Sequence, residues 1–301
     1  MLLAAAPGTP IAPVHACGRG SYRGALRPDL PVPAITARVS AFLLRTAEGA
    51  QNFAQLAWKA VRFVFARPFY LTDMFQQMDA MGVQSLGIVL LTGFFTGMVL
   101  ALQSSVQLRT FGATQYIGSL VSASMIRELG PVLAGLMVAG RVGSGVAAQI
   151  GSMKVTEQID ALNTLGTDPI KKLVTPRVLA GIVMLPMLTV INDLVGILGG
   201  NLIAKLYVGL PTSFYWQTVW QQIAQGGFSL GVIPNDFIQG LVKPIVFGAI
   251  IAVTACYYGL ATSGGTEGVG TATTRTVVAA SISILVVDYF LTQVLLAVFA
   301  V

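Results

Sequence analysis

The alternation of apolar and polar residues divides the chain into five long apolar windows joined by polar links: Val83 to Leu108, Glu128 to Ile150, Val178 to Leu206, Ile238 to Ala261 and Val277 to Ala300. Each is long enough to cross a bilayer, which takes roughly 20 helical residues. Two other segments have a different rhythm. Between Ser40 and Arg67, the residues Phe53, Leu56, Ala57, Ala60, Val61 and Val64 recur at helical spacing, with Trp58, Lys59 and Arg62 suited to headgroups. This predicts an amphipathic helix lying along one leaflet, ended by Arg67-Pro68. Between the second and third windows, TEQIDALNTLG (156–166) predicts a short polar helix. Thr156 is placed to cap it, and Glu157 and Asp160 fall in its first turns, where the helix dipole favours anions. Ile159, Leu162 and Leu165 form an apolar edge, and Gly166 followed by Asp168-Pro169 stops the helix. That edge suits a partner's groove and a membrane surface equally well.

The predicted architecture is an all-α integral membrane protein. A leader over 1–39 precedes one domain over 40–301, made of an interfacial helix at 40–67 and a transmembrane bundle over 83–301. Composition agrees: 54% of residues are hydrophobic, only 10% are charged, and the mean hydropathy is +0.76, whereas a soluble domain carries about 25% charged residues. The leader is rich in Pro, Gly and Ala, poor in acids and supplied with Arg, as a dispensable extension or a targeting segment would be.

A net charge of +6 in a soluble protein would point to nucleic acid; here its placement reports topology instead. Eight cations precede the first window, and Arg141, Lys154, Lys171, Lys172 and Arg177 surround the link between the second and third. The positive-inside rule makes both regions cytoplasmic. The stretch from Tyr207 to Val242 has no Lys or Arg, as an outside loop should.

Chemistry is sparse. The two cysteines, Cys17 and Cys256, are too far apart to suggest a metal site, and the single histidine, His15, lies in the leader, so His-centred acid–base catalysis is not expected. Gly143, Gly145 and Ala148 fit a dinucleotide fingerprint, but inside a membrane helix rather than after a strand, where the pattern has no meaning. No phosphate-binding Gly-rich loop ending in Lys-Ser or Lys-Thr is present, so ATP, if used, is hydrolysed by another subunit. Small residues recur every four positions in four rows: Gly93, Gly97, Ala101 and Ser105; Gly140, Ser144 and Ala148; Gly143, Ala147 and Gly151; Gly196, Gly200 and Ala204. Such rows let backbones approach closely and predict a tight bundle with a dimer seam. Ionisable residues within the spans mark function or interhelical bonding. Arg127 and Glu128 open the second window and either line an outer mouth with Lys243 or pair with each other; Asp193 and Asp288 lie deeper and suit interhelical hydrogen bonds.

The run from Arg127 to Ala180, RELGPVLAGLMVAGRVGSGVAAQIGSMKVTEQIDALNTLGTDPIKKLVTPRVLA, together with GGTEGVGTATT at 264–274 and the span after it, resembles the MlaE family of ABC transporter permeases. The likeness covers roughly residues 50–301. It implies a homodimeric permease that moves phospholipid between membranes, paired with a cytoplasmic ATPase that binds ATP and Mg2+, an MCE-domain protein on the outer face and a small regulatory subunit. It implies no cofactor or metal on this chain. Thr156, Glu157, Ile159, Asp160, Leu162, Leu165 and Gly166 correspond to the family's ATPase-coupling helix, and Arg127, Glu128, Lys243 and Asp288 to its polar positions near an apolar lipid cavity walled by the first and last spans. The expected location is a bacterial inner membrane, with the plastid inner envelope as the alternative. A secondary transporter coupled to ions through Glu128, Asp193 and Asp288 is the rival reading, although the five spans show no inverted repeat.

Overall fold

A computed structural model describes residues 51–299 apart from 52, 61, 64–69, 226, 227 and 230–232. The leader, the first part of the interfacial helix and Val61 and Val64 of its apolar face lie outside the described residues.

Five helical stretches are long and apolar enough to cross a membrane: Leu71–Thr110, Thr114–Val155, Ile170–Val208, Asn235–Leu260 and Gly265–Val298. The protein is an all-α membrane protein. A two-residue antiparallel pairing, Phe228–Ser229 with Ile233–Pro234, is the only extended structure among the described residues. Every span begins earlier than its apolar window. The reason is visible in Leu71–Met81, whose sequence LTDMFQQMDAM is too polar for a hydropathy window yet has no residue that breaks a helix. A 3-10 turn at Val83–Ser85 then joins it to Leu86–Thr110.

Glycine packing explains how the first and third spans lie together. A Cβ on Gly97 would strike the Gly196 backbone, and one on Gly93 would strike Asn192, so the two helices touch main chain to main chain. Gly181 and Gly248 do the same for the third and fourth spans. Three of the four small-residue rows are therefore spent inside the monomer: Gly93–Ser105 faces Gly196–Ala204, and Gly143, Ala147 and Gly151 face the fourth and fifth spans. Only the row with Gly140, where an added Cβ would meet no other part of the chain within 4 Å, is left open for the seam expected from sequence.

The apolar core falls into two clusters. One, at the end nearer the polar link, centres on Val138, Ile150, Val174, Leu185, Phe247 and Ile284. The other gathers Ile117, Val121, Met125, Ile197, Tyr215 and Val219 beneath a connecting helix, Thr212–Gln225. The Tyr215 hydroxyl donates to the Ile197 carbonyl at 3.1 Å and ties this helix to the third span; burial pushes its phenol above the ordinary range, so it stays a donor. The first and fifth spans are peripheral, exposing Leu91, Phe95 and Val99 on one and Ile282, Tyr289 and Phe290 on the other.

At residues 53–60 the predicted amphipathic helix is present, but its apolar face is turned to protein: Leu56 and Ala60 are buried, and Phe53 meets Tyr257 edge-to-face at 5.8 Å. Trp58 and Lys59 remain on the exposed side. The face that the sequence assigned to lipid along this turn is thus taken by the bundle.

The link helix is shorter than its sequence suggested, Gln158–Thr164. Thr156 does not cap it. Its hydroxyl donates back to the Ser152 carbonyl at 2.8 Å, closing the second span instead. Glu157 makes the corner with φ +58, the only positive φ on a non-glycine among the described residues. Gly166 ends the helix as expected, at φ +73, with its N–H on Asn163 and that of Thr167 on Leu162, the paired bonds of a Schellman stop.

Candidate functional site

The second span is interrupted by two π-turns, Met125–Leu129 and Ala139–Gly143, and the first carries Arg127 and Glu128. Such widened turns are rare and frequent at functional sites. Its origin is local. Pro131, one helical turn past Arg127, has no N–H to give to the Arg127 carbonyl, so that oxygen needs a donor from elsewhere. Lys243 of the fourth span supplies it, its Nζ donating to the Arg127 carbonyl at 2.8 Å.

The same ammonium is the hub of a polar cluster. It donates to Glu128 Oε2 at 2.6 Å and lies 3.2 Å from Asp288 Oδ1 of the fifth span. The Thr292 hydroxyl, one turn beyond Asp288, donates to Glu128 Oε1 at 3.2 Å. Arg127 turns the other way, with Nε 2.9 Å and Nη2 2.7 Å from Asp236 Oδ1. Lys243 and Asp236 are each only 1% exposed, whereas the Glu128 side chain is 43% exposed and that of Arg127 23%. A buried lysine is tolerated here because two carboxylates and a carbonyl replace its water. The cluster holds two cations and three carboxylates, is closed at its base and shows one group of each sign at its surface.

All four residues singled out from the sequence, Arg127, Glu128, Lys243 and Asp288, meet at this one place. Two details differ. Arg127 and Glu128 do not pair with each other, because the π-turn sends them to different partners. Lys243 sits deeper than an outer mouth would place it; the fourth helix starts at Asn235, which puts Lys243 roughly 12 Å inside it at 1.5 Å per residue. Sequence reasoning missed Asp236 and Thr292. Asp236 fell just outside the apolar window, yet it lies seven residues before Lys243 and hence on the same face; Thr292 is four residues past Asp288, the spacing of side chains that share a helix face. Asp193 was expected to make an interhelical hydrogen bond. It is buried without one: its Oδ1 has no partner among the described residues.

In the link, Lys154 Nζ holds both Asp160 oxygens, at 3.0 and 3.1 Å. Ile159 is 4% exposed and packs into the chain's own core, so it is not part of an exposed edge; Leu162 is half-buried and Leu165 is 78% exposed. The residue spacing was read correctly as helical, but the i, i+3 step rotates Ile159 under the second span's end. Glu157, Asp160, Leu165 and Gly166 are the outward residues.

Among the described residues no group of three His, Cys, Asp or Glu is arranged to hold a metal ion. What the central cluster can do is electrostatic: present a part-exposed carboxylate, Glu128, and a part-exposed guanidinium, Arg127, from neighbouring positions of one span to a ligand carrying both signs.

Known proteins share this sequence over most of its length. A probable ABC transporter permease protein of Rickettsia conorii is 44% identical over 250 residues, 83% of this chain and 93% of the relative. The intermembrane phospholipid transport system permease protein MlaE of Haemophilus influenzae is 38% identical over 220 residues, 73% of this chain and 81% of that protein. The chloroplastic protein TRIGALACTOSYLDIACYLGLYCEROL 1 of Arabidopsis thaliana is 35% identical over 238 residues, 79% of this chain and 65% of the plant protein. The family model Permease MlaE matches residues 74–294, from the first span to the last turns of the fifth and so across the whole polar cluster, and the chain belongs to that family.

Proposed function

We propose that this chain is the membrane-spanning permease of an ATP-driven phospholipid transporter, working as a homodimer with a cytoplasmic ABC ATPase and an MCE-domain protein in a bacterial inner membrane. Family membership and the relatives' names support a permease for phospholipid. The observation that carries the reading to the site is the cluster around Lys243. A phospholipid headgroup brings a phosphate and, in zwitterionic lipids, an ammonium; Arg127 and Glu128 offer the complementary pair, while the apolar faces of the first and fifth spans flank them for acyl chains.

Residues 40–301 form the permease domain in this reading. The Glu157–Gly166 surface takes the ATPase, Glu157, Asp160 and Leu165 being its outward contacts and Ile159 a buried anchor that transmits motion to the second span. ATP and Mg2+ reside in that partner, and a small regulatory subunit completes the assembly. ATP-driven closure of the ATPases shifts the link helices and hence the lipid site, and it drives transport only by the difference in lipid affinity between the two states. An ion-coupled carrier is disfavoured because two of the three carboxylates it would use, Glu128 and Asp288, are engaged by Lys243, which leaves only Asp193 unpaired among the described residues.

The test is reconstitution of the chain with its ATPase and MCE partner in proteoliposomes, reading transfer of a fluorescent phospholipid to acceptor vesicles. ATP-dependent transfer that is lost with Glu128→Gln while the ATPase stays bound supports the reading. Transfer driven by an ion gradient without ATP overturns it.

A further inference from the structure

A cavity of about 360 Å³ lies beside the same π-turn, between the third span, the fourth span and the connecting helix. Its walls are apolar: Ile126, Ile197, Trp216 and Val219, with Gly240 packed closely on Ile126. Its rim is formed by Leu194, Trp220 and Phe237, all exposed on the outer surface of the bundle. Asp193 is the single ionisable residue on its wall. The residue is 7% exposed, it forms no ion pair among the described residues, and Oδ1 is without a hydrogen-bond partner. Gly130 has no side chain where that carboxylate sits, since a Cβ there would collide with Oδ1.

An unsatisfied buried carboxyl group is expensive, and the remaining question is what satisfies it. Water is a poor occupant, because an ordered water needs two to four polar partners and this wall offers one carboxyl group among aliphatic and aromatic side chains. A polar solute would have to reach the rim through lipid. The volume falls in the range of ligand pockets, about 300 to 1,000 Å³, which pair apolar walls with a few polar groups.

We infer that this pocket binds the alkyl chain of a membrane amphiphile that carries a hydroxyl or amide N–H, with that donor on Asp193. The site is distinct from the Lys243 cluster and independent of the transport reading: Ile126 faces the pocket, whereas the next two residues, Arg127 and Glu128, belong to the cluster.

The test uses the purified chain in lipid nanodiscs, without ATP or partners, so that its outcome is separate from any transport assay. The probe is a long-chain alcohol with a mid-chain diazirine, compared with its methyl ether, which keeps the chain and loses the donor. Photolabelling should concentrate on the peptides carrying Leu194, Trp216 and Trp220, with the alcohol labelling about two- to tenfold more than the ether, the ratio expected for the net gain of one hydrogen bond. Asp193→Leu should abolish the preference for the alcohol. Leu194→Trp, at the exposed rim where folding is not at stake, should cut labelling by both probes. Equal labelling by alcohol and ether, or labelling unchanged by Leu194→Trp, would overturn the inference. In a second arm with the partner subunits added, loss of labelling would also overturn it, because it would assign the pocket to a protein segment.

Discussion

Replacing Lys243 with Met keeps the length of the side chain and removes the charge that three oxygens share. Glu128 Oε2 and Asp288 Oδ1 lie 2.6 and 3.2 Å from Nζ, so the two oxygens are at most 5.8 Å apart, the sum of those distances. Two unit charges at that separation repel by about 3 kcal/mol at an effective dielectric of 20. Breaking a buried ion pair by deleting one partner costs about 3 to 5 kcal/mol, and the exposure of Glu128 screens its share, so the lower end applies. Lys243→Met should therefore destabilise the bundle by about 3 kcal/mol. Adding Asp288→Asn should recover about 1 to 2 kcal/mol of that loss rather than deepen it, because it removes one of the stranded charges. The assay is equilibrium unfolding in mixed micelles for wild type, both single variants and the double. If the single costs simply add, the ammonium is not shared as described and the electrostatic account of the cluster fails.

Other perturbations test separate parts. Asp236→Asn leaves Arg127 with a neutral partner in a site only 1% exposed and should cost about 1 to 3 kcal/mol by the same measurement; a change within 0.5 kcal/mol would show that the pair is not structural. Gly97→Val drives a side chain into the Gly196 backbone and should reduce folded yield in the membrane by an overpacking cost of about 1 to 3 kcal/mol or more, whereas Gly140→Ala meets open space and should leave monomer stability within about 0.5 kcal/mol. Asp160→Lys removes an exposed bridge to Lys154 worth about 0 to 1 kcal/mol, so a normal unfolding curve with lost ATPase co-purification is expected; retained co-purification would remove this helix from the docking surface. Glu157→Gly relieves a left-handed backbone cost of about 1 kcal/mol and should raise stability, and a lowered stability would show that the corner is held by the side chain.

The spans were legible because twenty-odd apolar residues in water-free surroundings have one economical form, the helix that bonds its own backbone. Their true ends were not, since stretches such as Leu71–Met81 carry enough polar residues to leave a hydropathy window while still continuing the helix. Arg127, Glu128, Lys243 and Asp288 could be picked out singly, as ionisable residues where ionisable residues are costly. Their pairing could not. It depends on a π-turn set by Pro131 and on the start of the fourth span at Asn235, both properties of three-dimensional register rather than of local pattern. Thr156 was misassigned for a related reason: a Thr ahead of acidic residues suits an N-cap, but the same hydroxyl also reaches the carbonyl four residues back, and the sharp corner at Glu157 favours the second use. Small-residue rows named close contacts correctly without saying which were internal.

The second span carries most of the unusual backbone, and this follows from what it must reconcile. A straight α-helix would send Arg127 and Glu128 about 100° apart on one cylinder and leave the Arg127 carbonyl facing Pro131, a residue with no N–H. The extra residue of the π-turn shifts the register, so that the carbonyl is turned to Lys243 while the two side chains reach Asp236 near the start of the fourth span and Thr292 near the end of the fifth. Just past that turn, the Asp193 carboxyl of the third span packs against Gly130 without a hydrogen bond to its Oδ1. One widened turn thus bonds the fourth and fifth spans through polar groups and is flanked by the third. At the far end of the same helix, Thr156 and Glu157 lead directly into the link helix, whose Ile159 is packed in the core. A displacement of the link helix therefore has a continuous helical path to the Lys243 cluster, with a second π-turn at Ala139–Gly143 midway where register can change without breaking the span. Stiffening that midpoint, by restoring regular helix there, would be expected to uncouple the two ends while leaving each intact.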